Sequence, residues 1–518
     1  MTTPANPRDA SSDRPGPEDW LALDVASDSP VPLHDNASLR RLEQDARQRL
    51  APFTLMSRAG GAAARWLTRH APPGMLLMLA GPGNNGGDAV VAATRLHETG
   101  RPVEIWLIGD PARLPSDAAR AWHEAVAAGV PRRIVSADDD ADALACRASH
   151  FAALVDGLLG IGLNRPVEGR LARWIGWLRQ RAADGLPVFA LDVPSGLSAD
   201  TGRGEPAVHA VRTLTFIAAK PGLLTLDGRD CAGALDIAPL GLDYPPALTP
   251  TAWASTPAQF ASNLPARTHA THKGSFGTVA VIGGNVGMVG APLLGARAAL
   301  HLGAGRVHIG FLATPAPLLD PVQPELMLHP VQALDLDAMS ALVAGPGMGK
   351  DDAARAQLER VLRAQRPLVI DADALNLLSA DATLADLARM APVPRVLTPH
   401  PLEAARLAGC GVGDIQRDRL AAARALAHRW QSVVVLKGSG TVIATPDGTV
   451  HINPTGNAGL ATAGTGDVLA GFIGALLAQG MPAPAAARAA VWLHGAAAQR
   501  LTAAGAISRW KPIRGPRY

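Results

Sequence analysis

The sequence predicts an α/β protein with two domains, each a three-layer αβα arrangement in which helices cover both faces of a parallel sheet. At about 150 residues per domain, its 518 residues suggest at least two domains. Hydrophobic residues make up 48% of the chain and charged residues 18%, which is enough apolar surface for large cores. Short apolar runs alternate with alanine-, arginine- and leucine-rich segments of helical spacing, as in parallel-sheet proteins.

The elements of the two domains follow from these runs. In the first domain, strands are predicted at 76–80, 103–108, 152–155 and 188–191, with a helix at 118–128. In the second, strands are predicted at 278–282, 306–311, 341–344, 368–370 and 432–436. Pro446, Asp447 and Gly448 predict a hairpin that joins 441–444 to 449–452. Alanine-rich helices are predicted at 467–479 and 489–503.

Composition also predicts the domain boundaries. Residues 1–32 are rich in Pro, Asp and Ser, and we expect them to form a disordered leader. The first domain is predicted at 33–243 and the second at 264–518. Between them, residues 244–263 are rich in Pro, Thr, Ser and Ala, which predicts a linker.

Charge and cysteine content exclude several classes of protein. The 48 Lys and Arg residues against 45 Asp and Glu give a net charge of +3, so we expect neither a nucleic-acid nor a membrane partner. No apolar run approaches the roughly 18 residues of a transmembrane helix. Three scattered cysteines predict neither a disulfide framework nor a zinc site, and a cytoplasmic location is expected.

Three loops of the first domain follow predicted strands. Gly81–Asp88 is a glycine-rich strand-to-helix turn whose backbone N–H groups suit phosphate, and its two asparagines offer oxygens for an alkali cation. A tight turn without a ligand is the alternative. The other two loops, 156–165 and 192–197, begin with Asp156 and Asp192. Because the carboxyl ends of parallel strands share one edge, the two aspartates predict a proton-transfer site, although each could be only a helix cap.

The segments LMSRAG, GPGNNGGDA, VDGLLGIGLNRPV, LDVPSGLSADTG and AAKPGL resemble the YjeF N-terminal family of NAD(P)H-hydrate epimerases over about 33–243. The resemblance implies a Rossmann-like domain that interconverts the R and S forms of the hydrated nicotinamide cofactor at C6. It implies potassium ligands at Asn85, Asp156 and Ser195. It also implies substrate contacts at Asn84, Asn85, Gly86, Gly87, Asp88, Gly160, Ile161, Gly162, Leu163, Asn164, Arg165, Pro166 and Asp192. Ser57 and Ala89 depart from the family pattern, which usually has Glu and Gly there.

In the second domain, Gly464, Thr465, Gly466 and Asp467 stand directly before an amphipathic helix. The glycines leave backbone N–H groups free for a phosphoryl oxygen, and Asp467 can take a proton from a hydroxyl nucleophile. This pattern predicts phosphoryl transfer, with a simple helix cap at Asp467 as the alternative.

The GTGD motif resembles the ribokinase-like superfamily. HKGSFG, GAP, GPGMG, TPHP, KGSGT and GNAGLATAGTGD together resemble the NAD(P)H-hydrate dehydratases over about 264–503. The resemblance implies that ADP, with magnesium, phosphorylates the C6 hydroxyl of the S hydrate, and that loss of phosphate restores the dihydronicotinamide. It implies hydrate contacts at Ala291, Gly347, Gly349, His400 and Asp467. It implies nucleotide contacts at Lys437, Gly438, Ser439, Gly440, Thr441 and Gly466. Leu402 stands where the family often has Gly.

Together the halves resemble the bifunctional NAD(P)H-hydrate repair enzymes. That resemblance implies a homo-oligomer acting on NADHX and NADPHX with ADP. The sequence leaves open ADP against ATP, and the NADH against the NADPH hydrate. The alternative is a small-molecule kinase fused to a non-catalytic YjeF-like binding module. Lysine is scarce, and Lys220, Lys273, Lys350 and Lys437 lie in or beside these motifs, which predicts phosphate or nucleotide contacts there.

Overall fold

A computed structural model of the chain describes residues 20–23, 29–135, 150–162, 166–204, 206–242, 248–390 and 392–504. The chain divides into two compact units. The first consists mainly of 32–223 and 227–251, and the second mainly of 252–518 together with 24–31 and 224–226.

The described strands of the first unit form an eight-stranded sheet in the order β1-β9-β8-β7-β6-β3-β4-β5. All neighbours are parallel except β1 and β9. The strands are β1 (Leu21–Ala22), β3 (Leu76–Ala80), β4 (Val103–Leu107), β5 (Arg132–Ile134), β6 (Ala153–Gly157), β7 (Val188–Leu191), β8 (Arg212–Phe216) and β9 (Ala234–Ala238). A further short strand, β2 (Val31–Leu33), precedes the first helix.

Helices cover both faces of this sheet. They are α1 (Asn36–Arg49), α2 (Thr54–His70), α3 (Asn84–Glu98), α4 (Ser116–Ala127), α5 (Gly169–Ala183) and α6 (Gly228–Cys231). Strand β3 shows why three layers form, because its alternate residues belong to different cores. Met78 packs with helices α1 to α4, whereas Leu77 and Leu79 pack with Trp174 and Trp177 of α5.

The strands of the second unit form a sheet in the order β13-β12-β11-β14-β15-β16-β17-β18-β19-β10, parallel except at β17-β18-β19. They are β10 (Ala252–Ala254), β11 (Thr278–Gly283), β12 (Arg306–Phe311), β13 (Met327–Pro330), β14 (Ala341–Ala344), β15 (Leu368–Ile370), β16 (Arg395–Leu397), β17 (Val433–Leu436), β18 (Val442–Ala444) and β19 (Val450–Ile452). The helices are α7 (Gly290–His301), α8 (Asp352–Arg363), α9 (Ala372–Ala380), α10 (Ala382–Met390), α11 (Pro401–Ala408), α12 (Val412–Arg417), α13 (Arg419–Trp430), α14 (Thr465–Ala478) and α15 (Ala483–Ala503).

The predicted fold class is confirmed, and the hairpin at β18 and β19 lies where the sequence places it. Two predicted irregular segments contain strands. Within 244–263, β10 pairs in parallel with β19. Within 1–32, β1 pairs antiparallel with β9 at the sheet edge. Both strands are only two or three residues long, and it is partner strands distant in sequence that order them.

Across the described ranges, no helix combines the length and the apolar character that crossing a membrane requires.

Candidate active sites

The first unit has a cavity of about 840 Å³ at the carboxyl ends of β3, β6 and β7. Open parallel sheets bind their ligands at this edge. Most of the residues implied as substrate contacts line it, namely Asn84, Asn85, Asp88, Gly160, Ile161, Gly162, Pro166 and Asp192. Gly86 and Gly87 are buried in the first turn of α3 and are not among the lining residues. Leu163, Asn164 and Arg165 lie outside the described residues.

Close backbone packing brings the three predicted loops together. A Cβ on Gly86 would lie 2.0 Å from the carbonyl oxygen of Gly81, so only glycine fits this turn. A Cβ on Gly160 would lie 2.8 Å from Asp192 Oδ2 and 3.3 Å from the Cβ of Asn85. Gly160 therefore marks the point at which the loops after β3, β6 and β7 meet.

Asp192 directly follows β7 and is held by a buried lysine. The Nζ of Lys220, which is 1% exposed, donates to Asp192 Oδ1 at 2.6 Å, to Thr215 Oγ1 at 2.7 Å and to the Phe216 carbonyl at 2.8 Å. Asp192 Oδ2 accepts from the backbone N–H of Ile161 at 3.1 Å. Because these three bonds match the three ammonium protons, Lys220 fixes the carboxylate and has no donor left for a phosphate.

Glu168 also lines this cavity, and so do two carboxyls on helices, those of Glu43 on α1 and Asp88 on α3. Burial raises the pKa of Glu43, and the neighbouring Asp192 carboxylate raises it further. Burial also raises the pKa of Asp88 well above its usual range, with added repulsion from Asp192 and Glu43. Both side chains therefore keep a proton to a higher pH than free carboxyls do.

Asp156 and Ser195 lie behind the cavity wall and bind each other. Asp156 is 0% exposed, and its oxygens accept from Ser195 N at 2.7 Å and Ser195 Oγ at 2.6 Å. Burial raises the pKa of Asp156 to about 6, against the lowering effect of these hydrogen bonds. Within the described chain, no Lys, Arg or His side chain pairs with this carboxylate.

Asn85 leaves one buried oxygen free. Its Nδ2 donates to the carbonyls of Leu159 at 2.8 Å and Leu191 at 3.1 Å. Its Oδ1 is buried and has no hydrogen-bond partner. An unpartnered amide oxygen and an uncompensated buried carboxylate are the groups that an alkali cation would satisfy.

In the second unit, the carboxylate of Asp371 joins three adjacent strand ends. Asp371 follows β15, and its Oδ1 accepts from Thr398 Oγ1 at 2.7 Å and Lys437 Nζ at 2.8 Å. Thr398 follows β16 and Lys437 follows β17, and the Lys437 N–H donates to the Pro399 carbonyl at 2.9 Å. Burial lowers the pKa of Lys437, but the Asp371 and Glu403 carboxylates outweigh it, and the pKa is raised.

His400 begins α11 in a reciprocal cap with Glu403. His400 Nδ1 accepts from the N–H groups of Leu402 and Glu403 at 3.1 and 3.2 Å, and Glu403 Oε2 accepts from the His400 N–H at 2.8 Å. Because Nδ1 accepts, the proton of the neutral ring lies on Nε2, which is 3.3 Å from Glu403 Oε1. Burial lowers the pKa of His400 and raises that of Glu403 to about 7.

Asp467 lies in the first turn of α14, directly after the glycines of the motif. Gly464 has φ +88°, which favours glycine, and a Cβ on Gly466 would lie 3.4 Å from Lys437 Nζ. The start of α14 therefore lies beside the Lys437 ammonium. Burial raises the pKa of Asp467 to about 6, with repulsion from Asp371 added and the attraction of Lys437 opposing it.

The remaining predicted positions lie in the loops beside this group. A Cβ on Gly347 would lie 3.3 Å from that of Ala291, and the Gly349 N–H donates to Asp373 Oδ2 at 2.9 Å. The charge of Asp373 in turn raises the pKa of Asp467. The nucleotide loop closes on itself where Thr441 Oγ1 donates to the Gly438 carbonyl at 3.0 Å. Its Ser439 hydroxyl donates to the Leu226 carbonyl at 2.8 Å, and Gly440 has φ +59°.

Three groups that the structure places at these sites were missed from the sequence, and a fourth was given a different role. Asp371 follows an apolar run, and Glu403 stands three residues after His400 in capping-box spacing, so both carried a readable signal. Lys220 was noted, but as a phosphate contact and not as the partner of Asp192. Glu43 lies in a helix without a motif, and nothing in the sequence marks it.

Comparison with known proteins decides the family. Residues 52–222 match the family model described as YjeF-related protein N-terminus, and residues 279–512 match that described as NAD(P)H-hydrate dehydratase. Over 484 residues, the chain is 38% identical to a bifunctional NAD(P)H-hydrate repair enzyme from Coxiella burnetii, covering 91% of this chain and 95% of that protein. The chain belongs to the bifunctional NAD(P)H-hydrate repair enzymes. The family predicted from the two motif sets is confirmed.

Two dehydratases match about half of the chain. An ADP-dependent (S)-NAD(P)H-hydrate dehydratase from Neisseria meningitidis is 47% identical over 257 residues, covering 49% of this chain and 86% of that protein. A crystal structure of an ADP/ATP-dependent NAD(P)H-hydrate dehydratase from Bacillus subtilis is 35% identical, covering 48% of this chain and 88% of that one, with a TM-score of 0.42.

Proposed function

We propose that this chain catalyses both reactions of its family on NADHX and NADPHX. The first unit interconverts the R and S hydrates, and the second dehydrates the S hydrate with ADP, which yields AMP and phosphate. The observation that carries the proposal is that each unit holds its own acid–base site, one around Asp192 and one around Asp467.

In the first site, a base takes the proton of the C6 hydroxyl as the C6–N1 bond opens to an aldehyde, and an acid gives a proton to N1. Reclosure of N1 on the other face of C6 returns both protons and gives the other epimer. Asp192 supplies the base, since Lys220 and the Ile161 amide hold its carboxylate in place. Asp88 supplies the acid, because burial keeps it protonated to a high pH. Asp156, predicted from the sequence as a second proton-transfer residue, is completely buried and acts in this proposal on the cation.

Potassium fits the donor set behind this cavity. Asn85, Asp156 and Ser195 would hold it, because Asn85 Oδ1 has no partner and the Asp156 carboxylate has no cationic side chain among the described residues. When bound, the cation supplies positive charge that offsets the buried carboxylate and fixes the loops around Asp192. These residues themselves position the substrate loops through the Ser195 hydrogen bonds.

In the second site, Asp467 accepts the proton of the C6 hydroxyl as the hydroxyl attacks the terminal phosphorus of ADP and AMP leaves. Loss of phosphate from C6 and of a proton from C5 then restores the C5–C6 double bond. Backbone N–H groups at the start of α14 and the Lys437 ammonium stabilise the charge that develops on the phosphoryl oxygens. His400 donates from Nε2 to the hydrate. The hydrate is bordered by Ala291, Gly347 and Gly349. Gly438, Ser439, Gly440, Thr441 and Gly466 border the nucleotide.

Magnesium would be held chiefly by the nucleotide phosphates. In the described ranges, no three His, Cys, Asp or Glu side chains gather into a metal-binding group.

A cytoplasmic homo-oligomer remains our expectation, and light scattering on the purified chain tests the assembly.

The test is to incubate a mixture of R and S hydrates with ADP and to follow the dihydronicotinamide absorbance. We expect complete recovery, and the same result with ATP would show that either nucleotide serves. Recovery that stops at the S fraction would refute the epimerase assignment. A stable phosphorylated product would instead indicate a small-molecule kinase.

A further inference from the structure

The substrate proposed above carries negatively charged phosphates, which the epimerase cavity must bind. Four carboxyls line it, those of Glu43, Asp88, Glu168 and Asp192. The hydrated dinucleotide carries a pyrophosphate, and its NADPH form carries one phosphate more. Binding these phosphates at a partly buried cavity requires cationic donors that offset their charge.

The described lining of this cavity contains few cationic side chains. Of the described residues that line the cavity, only Lys220, Arg40 and Arg47 are basic. Lys220 is buried, and all three of its protons are bound by Asp192, Thr215 and Phe216. It therefore cannot serve a phosphate, which leaves the two arginines among the described lining residues.

Arg40 and Arg47 are suited to that role by their position. Both lie on α1, with Glu43 between them at helical spacing, while Leu39, Leu42 and Ala46 of the same helix are buried in the core. The core contacts fix the helix, and the seven-residue separation places the Cα atoms of the two arginines about 10 Å apart along its axis. Both side chains are exposed. In the part of the chain that the structure describes, neither forms a hydrogen bond or a salt bridge.

We infer that Arg40 and Arg47 form the phosphate-binding edge of the epimerase cavity and hold the phosphates of the hydrated dinucleotide. The inference rests on the proposed epimerase function. Guanidinium groups bind phosphate oxygens through paired N–H donors, and exposed ones can do so without breaking an existing salt bridge. With the phosphates held by the arginines, the nicotinamide end would lie toward Asp192.

The chain offers a matched control on the same helix. Arg41 is exposed, does not line the cavity, and donates from Nε to the Ala37 carbonyl of its own helix at 3.3 Å. Arg41→Gln removes the same charge from the same helix at a position outside the site.

The experiment measures R-to-S exchange in the full chain without ADP, so that the dehydratase stays idle. Arg40→Gln and Arg47→Gln should each raise KM for the NADPH hydrate about tenfold with kcat little changed, the effect of one lost charge-assisted hydrogen bond. Arg41→Gln should match the wild type. With the hydrate of reduced nicotinamide mononucleotide, which lacks the adenylate half and the pyrophosphate, the penalty at one or both arginines should shrink.

Added salt separates the outcomes further. KM of the wild type should rise with ionic strength more steeply than KM of the double variant Arg40→Gln/Arg47→Gln. Unchanged KM in both arginine variants, or an equal change in Arg41→Gln, would overturn the inference while the wild-type exchange rate still supports the epimerase. Absence of exchange in the wild type would instead refute the proposed function itself.

Discussion

The ion pair between Asp192 and Lys220 makes a sharp prediction, because both side chains are buried and one of them is proposed to be catalytic. Nζ and Oδ1 are 2.6 Å apart, and the two side chains are 1% and 11% exposed. Breaking a buried pair by removing one partner typically costs about 3–5 kcal/mol, since the other charge stays buried without compensation. Asp192→Asn should fall near 3 kcal/mol, because Thr215 and Phe216 still accept from Lys220.

Removing both charges should cost less than the sum of the two single changes. Lys220→Met leaves the Asp192 carboxylate with only backbone N–H donors, whereas Asp192→Asn/Lys220→Met leaves no buried charge at this position. We expect the double variant to recover at least about 1 kcal/mol relative to additivity. Denaturation by urea, followed by circular dichroism, gives the free energies of unfolding.

Activity separates the catalytic role from the structural one. R-to-S exchange should be lost in Asp192→Asn and should stay lost in the double variant, although its stability returns. ADP-dependent dehydration of the S hydrate should continue in all three variants at temperatures where they remain folded. Strict additivity of the unfolding energies, or exchange restored together with stability, would refute this reasoning.

Three further predictions concern the other groups. Asp467 must be ionised to act as a base, and burial raises its pKa to about 6. The rate of S-hydrate dehydration should therefore fall about tenfold per pH unit below 6, and Asp467→Asn should abolish dehydration at every pH. A rate that stays flat from pH 7 to 5 would contradict this. Burial raises the pKa of Asp156 to about 6, so its buried charge weakens the fold as pH rises through 6. Potassium should therefore increase Tm more at pH 7.5 than at pH 5, and Asn85→Ala should remove most of the increase. An equal increase at both pH values would argue against a cation beside this carboxylate. Glu403→Ala should destabilise the second unit by about 1 kcal/mol by removing half of the cap on α11, while Glu403→Gln should retain it, as urea denaturation would show.

Local hydrophobic pattern predicted most of the fold. Strands β3, β7, β12, β14 and β15 have the predicted bounds, and all of them except β12 are apolar runs buried on both faces of the sheet. The pattern could not reveal β1 or β10. They are only two and three residues long, and each is ordered by a strand remote in sequence.

The sites were predictable to the extent that motifs mark strand ends. The loops that contain Asn85, Asp192 and Asp467 were found in this way. Partners that meet only in the folded chain were not, and Lys220 shows the difference. Because lysine is scarce in this chain, Lys220 stood out in the sequence. Only the structure assigns its three protons to Asp192, Thr215 and Phe216. Lys437 likewise carries an ion pair with Asp371, although it also lies against the start of α14.

The most direct test of two cooperating sites in one chain uses the R hydrate alone as substrate. With ADP, the wild type should restore the full dihydronicotinamide absorbance, because epimerisation supplies the S form that dehydration consumes. Asp192→Asn provides the background from spontaneous epimerisation and should recover at that rate only. Wild-type recovery no faster than this background, with the S hydrate still dehydrated normally, would contradict the account.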